Sequence, residues 1–219
     1  MIALHRSCVA FRCIEIECTS HCVAVTTAVL LQLILQPSVR ADDGSRDPRV
    51  KIGFDIAASQ HITLDQDMPS LGLGSYLVTV SNCNDCHTQP NFAPDGNPYI
   101  RQPKQVNLDN YLAGGRIFPT PTGNFCSRNL TPAPGTSRPA GLTREEFIYV
   151  IRTGCDPQDD NFNDPKTCSL LQVMPWPNFG VALGRRELIA IYDYLSVLPH
   201  KDPGTLAQCI PAQQGVAAQ

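Results

Sequence analysis

Apolar positions recur with a helical rhythm in three places. Across 72–87 ("GLGSYLVTVSNCNDCH"), Leu73, Tyr76, Leu77 and Val80 share one stripe that leads directly into Cys83, so the first predicted helix ends on a cysteine pair. Across 141–154 ("GLTREEFIYVIRTG"), Thr143 and Glu146 stand in capping-box register ahead of Phe147, Ile148, Val150 and Ile151, and Gly154 supplies the stop. Across 184–199 ("GRRELIAIYDYLSVLP"), Leu188, Ile191, Tyr192, Leu195 and Leu198 keep i, i+3, i+4 spacing until Pro199 halts the helix. No stretch sustains the two-residue alternation of a strand, so the pattern predicts a small all-α fold with long connections.

A fourth apolar stretch is of another kind. Residues 23–35 form an apolar run without a charged residue, closed by Pro37 and Arg40, and Val39-Arg40-Ala41 offers a small-x-small site. The run is shorter than the roughly 18 to 20 apolar residues that a spanning helix needs, so it reads as an export signal cleaved after Ala41 rather than a retained anchor. The segment before it is long and carries Cys8, Cys13, Cys18 and Cys22, which points to a translation start further along. The expected organisation is a signal peptide at 1–41, an N-terminal extension at 42–70, one core domain at 71–200 and a tail at 201–219.

Composition changes this picture little. The chain has 219 residues, 42% hydrophobic and 17% charged, which is enough for one core, and 19 prolines with 15 glycines predict a loop-rich one. The net charge is −3; removing 1–41 takes away Arg6, Arg12 and Arg40 against Glu15 and Glu17, a segment of +1, leaving −4. A mildly acidic surface without a basic run argues against nucleic acid and anionic lipid as partners.

The cysteines change it most. Beyond the leader stand Cys83, Cys86, Cys126, Cys155, Cys168 and Cys209, and only the first two are close-spaced, with His87 directly after them. At this composition chance alone would give a C-x-x-C-H string about 0.01 times, so the match to the haem c attachment signature is specific. Two thiols one turn apart add to the two vinyl groups of a haem while the next imidazole reaches the iron. A thioredoxin-like pair would need a βαβ context, and a zinc site a second close Cys or His pair; neither is present in the sequence. Cys83 and Cys86 are thus expected to tether one haem c and His87 to ligate its iron, outside the cytoplasm, consistent with the leader.

The sixth ligand decides what such an iron does, because an open position binds small ligands and a methionine favours simple valence change at a raised potential. Met174 sits in "LLQVMPWPNFG", where Pro175 and Pro177 are expected to bar a helix and hold the loop extended. Met68 lies too close to the tether to reach the far face easily, and His61 and His200 are the remaining distal candidates. Arg116, Arg128, Asn129 and Trp176 offer donors for buried propionates. Pro90 offers a carbonyl for the other His87 nitrogen.

Of the four remaining cysteines, an even set in an oxidising compartment, the expected pairs are Cys155 with Cys168 and Cys126 with Cys209. The first pair closes "CDPQDDNFNDPKTC". Asp156, Asp159, Asp160 and Asp164 cluster there, but the glycine and bidentate glutamate of an EF-hand are missing, so the stretch reads as a solvated acidic loop.

The order of a helix ending in C-x-x-C-H, a middle helix, a Met loop and a closing helix resembles class I c-type cytochromes. Within them, "GGRIFPTPTGNFCSRNLTP", "LTREEFIYVIRTG", "MPWPNFG" and "ELIAIYDYLSVLP" are similar to the cytochrome domains of bacterial multihaem subunits that serve membrane-bound dehydrogenases. The resemblance covers 73–199 and implies a cytochrome c domain whose first and last helices cross beside the haem. This chain departs from those subunits in having a single C-x-x-C-H. The function expected is an exported monohaem carrier taking single electrons from a dehydrogenase and passing them to an oxidase or another cytochrome, its acidic surface matching a basic patch on the partner. The alternatives are a fixed cytochrome subunit of a dehydrogenase, or a haem enzyme or gas sensor with an open distal site.

Overall fold

Helix α1 (Pro48–Ser59) starts where Asp47 accepts a hydrogen bond from the Arg49 N–H and Pro48 fits the first turn, needing no donor there. These belong to the computed structural model, which describes residues 46–121 and 123–202. The apolar run of the leader, its cleavage point, Cys209 and the tail beyond Asp202 lie outside them. Among the described residues no helix is long and apolar enough to cross a membrane.

Helix α2 (Pro69–Val80) lies between α1 and the closing helix α6 (Arg185–Ser196). Glycine makes both crossings possible. A Cβ on Gly53 would stand 1.7 Å from the Gly72 carbonyl oxygen, and one on Gly74 would stand 2.0 Å from that of Ala190. Because α2 is covered on two sides, its buried positions run around the helix: Leu71, Leu73, Ser75, Leu77 and Val78 are all inside. The predicted stripe is therefore corrected. Leu73 and Leu77 are buried, Tyr76 is half-buried, and Val80 is 53% exposed.

The predicted continuous run into the tether is also broken. The helix stops at Val80, Asn82 takes a left-handed conformation at φ 55°, and the cysteine pair occupies its own single turn, α3 (Cys83–His87). A long connection follows, containing a 3-10 turn at Pro98–Ile100 whose start is capped by the Asn97 side chain. It leads to an antiparallel hairpin, β1 (Ile117–Thr120) with β2 (Gly123–Cys126), Phe118 opposite Phe125. The sequence pattern gave no sign of this hairpin, since four-residue strands are too short to alternate visibly and Pro119 interrupts the first.

Helix α4 (Arg144–Thr153) has the expected capping box between Thr143 and Glu146 and the expected left-handed Gly154 at its end. The loop 155–168 is closed by the Cys155–Cys168 disulfide and propped by Phe162 edge-on against Tyr149, ring centroids 5.2 Å apart. The Met174 segment then gives a helix where a loop was predicted: α5 (Trp176–Ala182) carries Pro177 in its first turn. Proline bars only helix interiors; in the first turn its missing N–H has no partner to lose.

In α6, Leu188, Ile191, Tyr192 and Leu195 are buried as predicted, and Leu198, also buried, lies just past the helix end. These side chains join Leu73, Leu77 and Val78 of α2, Phe147, Ile148 and Ile151 of α4, and Tyr111 and Leu112 of the long connection in one apolar cluster. The stretch 42–70, expected as an extension, supplies α1 and the first residues of α2, and Val50 joins the same cluster.

Candidate cofactor site

The site is built on α3. Its single turn sets Cys83 and Cys86 three positions apart on neighbouring faces, and both are free thiols, whereas Cys126, Cys155 and Cys168 are in disulfides. The expected partner of Cys126, Cys209, lies outside the described residues. Burial pushes the Cys83 thiol up to about 12, with the neighbouring Cys86 adding to the effect. Burial also raises Cys86, against the pull of Arg116. Both are therefore neutral thiols near pH 7, the opposite of the lowered values that mark a disulfide-exchange pair.

His87 is held from two directions. Its carbonyl accepts from the Gly114 N–H at 2.6 Å, and its Nδ1–H donates to the Arg128 carbonyl at 2.7 Å. Gly114, at φ +78°, threads between the two; a Cβ there would stand 2.5 Å from the Ser127 carbonyl oxygen. Burial holds the imidazole below its ordinary range, and with the Nδ1 proton committed to Arg128 the Nε2 atom keeps its lone pair. Pro90, expected in this role, is corrected: its carbonyl accepts from the Asn107 side chain at 3.0 Å. The carbonyl that reaches the ring comes from beyond the hairpin because Thr88 turns the chain away, its hydroxyl accepting from the Leu112 N–H and donating to Asn84.

The residues expected to serve propionates have protein partners of their own. The Arg128 guanidinium pairs with Asp156. Asn129 donates to the Lys201 carbonyl and accepts from Thr131. Arg116 donates to the Asp85 carbonyl and lies over the Phe118 ring, 5.5 Å from its centre. Trp176 opens α5 with its ring against Gly154, where any Cβ would meet it.

Among the distal candidates the structure separates one from the rest. Met174 is half-buried and packs against the same apolar cluster that Cys83 touches. Met68 is 45% exposed, and His61 is exposed as well. His200 spends one ring nitrogen on the Pro132 carbonyl and the other on Asp202. The donor set thus fits a haem c: two neutral thiols one turn apart, an imidazole nitrogen free to coordinate, and a thioether bordering the same apolar space. The acidic loop uses its carboxylates locally, Asp156 toward Arg128 and the Gln158 N–H, Asp159 toward Ser169 and the Asn161 N–H, Asp164 toward the Lys166 N–H and Thr167.

No known family model matches the chain, and no solved structure does. Over 86 residues it is 33% identical to the fructose dehydrogenase cytochrome subunit of Gluconobacter japonicus. That stretch covers 39% of this chain and only 14% of the subunit's length. The chain is therefore similar, over part of its length, to a cytochrome component of a dehydrogenase.

Proposed function

We propose that the chain is a monohaem c-type cytochrome that carries single electrons between redox proteins outside the cytoplasm. The observation that carries this is α3, two neutral thiols followed at once by a half-buried imidazole whose Nδ1 is already committed to Arg128. Similarity to a cytochrome subunit favours the same reading. A bound haem c supplies an iron that changes valence by one electron with no substrate bond made or broken.

The chain's own groups take the remaining roles. Cys83 and Cys86 hold the macrocycle through thioethers, so that it stays attached when the small core loosens. His87 presents Nε2 to the metal, and the Arg128 carbonyl fixes the ring and raises its basicity. Met174 would supply the second ligand to the iron, a thioether that favours the lower valence. The apolar cluster borders Met174 and Cys83. On this reading the helical core is a small class I cytochrome domain and 1–41 is its export signal.

Two measurements test it. Unfolded and extracted with acidified organic solvent, the purified protein is expected to keep its colour and the mass of one haem; loss of both ends the proposal. Met174→Ala is expected to abolish the weak near-infrared band of a methionine–iron bond while the attached haem remains, and a high-spin ferric spectrum in the wild type would move the protein to the enzyme or sensor class. The partial match to a dehydrogenase component favours one further reading, a fixed cytochrome subunit, which native purification with a stoichiometric partner would establish.

A further inference from the structure

Residues 169–184, which carry Met174, contain no charged side chain. Leu170, Val173 and Val181 within them are 43%, 37% and 89% exposed. An uncharged surface with three exposed aliphatic side chains, on the segment that also brings a sulfur to the apolar cluster, is unusual for a protein with 20 acidic and 17 basic residues.

The acidic loop adjoins it directly. Cys155 forms a bridge with Leu170, the Asp156 N–H donates to the Ser169 carbonyl, and the Leu171 N–H donates to that of Gly154. The disulfide closes the neck. Asp156 is neutralised by Arg128, but Asp159, Asp160 and Asp164 meet no cation among the described residues and stand against Lys166 alone, a surplus of two negative charges. The cation that precedes the loop, Arg152 near the end of α4, is bonded to the carbonyls of Gly180 and Leu183 at the far end of the uncharged segment.

Resting on the function proposed above, we infer that the Met174 segment and the loop 155–168 together form the docking face for a redox partner whose own contact surface is apolar at its centre and lysine- or arginine-rich beside it. The aliphatic side chains exclude water where the two surfaces meet, and the carboxylates orient and speed the encounter without making it tight. A loop fixed at its neck holds those charges in one place, so little conformational entropy is lost on contact.

The test follows oxidation of the reduced, haem-loaded, full-length protein by two small oxidants of opposite charge, tris(phenanthroline)cobalt(III), which is cationic with an apolar exterior, and ferricyanide. With the cobalt complex the wild-type rate is expected to rise as salt is lowered. Combining Asp159→Asn, Asp160→Asn and Asp164→Asn is expected to cut that low-salt rate by about threefold and to raise the ferricyanide rate. Asp160→Lys, at an exposed position with no role in holding the loop, is expected to act in the same direction, and Val173→Asp to slow ferricyanide. Rates with both oxidants that are indifferent to the three asparagines and to Asp160→Lys would overturn the surface while leaving the carrier intact. A protein that exchanges electrons with neither oxidant would overturn the carrier and the surface together.

Discussion

Gly74 stands where α2 meets α6, and the backbone there cannot yield to a new side chain. Gly74→Ala would place a Cβ 2.0 Å from the Ala190 carbonyl oxygen and 2.5 Å from the Tyr194 Cβ, and is expected to destabilise the fold by about 3 kcal/mol, read from urea unfolding. Gly135→Ala is the matched control. Its surroundings are open but φ is +72°, so a loss of about 1 kcal/mol is expected from conformation alone. Arg128 offers a second contrast, because its carbonyl holds His87 while its guanidinium holds Asp156. Arg128→Met keeps the first and drops the second; the haem spectrum is expected to stay and stability to fall by about 1–2 kcal/mol. At this scale the cysteine pair and its histidine stand out in the sequence because the attachment chemistry they are proposed for fixes their order. The Arg128 carbonyl was not, since every residue has one and no letter in the sequence marks which will turn toward the ring.

Among the elements, α1 and α6 are joined by charge. Arg49 bonds both Asp47 at the start of α1 and Glu187 in the first turn of α6. Its guanidinium is the chief reason that both carboxyls lie below their ordinary values of 3.8 and 4.5. Carboxyls lowered in the folded state bind protons less readily than in the unfolded chain. Their contribution is therefore complete above the ordinary values and lost as pH falls through the lowered ones. Urea midpoints measured downward from about pH 5 are expected to fall in the wild type and to fall less steeply in Arg49→Gln. With Arg49 a third exposed, the pair contributes about 1 kcal/mol near neutrality. The sequence showed α4 and α6 because large apolar residues mark one face of each. It hid α1, whose buried face at Val50, Gly53 and Ala57 is built mostly from small residues, and α5, whose prolines stand where a helix tolerates them.

For the whole molecule, the cross-link between Cys155 and Cys168 closes a short loop, 13 residues apart in sequence. Replacing both by alanine is expected to cost about 2–3 kcal/mol, seen as a lower unfolding temperature that reductant lowers further by less than it lowers that of the wild type. That pairing was legible from an even set of cysteines and their spacing. The hairpin and the left-handed break at Asn82 were not, because both depend on how distant segments close over one another rather than on any local preference.

Arg128 has a last consequence. One residue carries both the oxygen that steers the imidazole and the side chain that tethers the acidic loop. The two cannot drift independently: a visitor pressing on the loop leans, through a single residue, on the imidazole, and in the proposed haem protein touch at the rim would thereby be geared to electronic state at the centre.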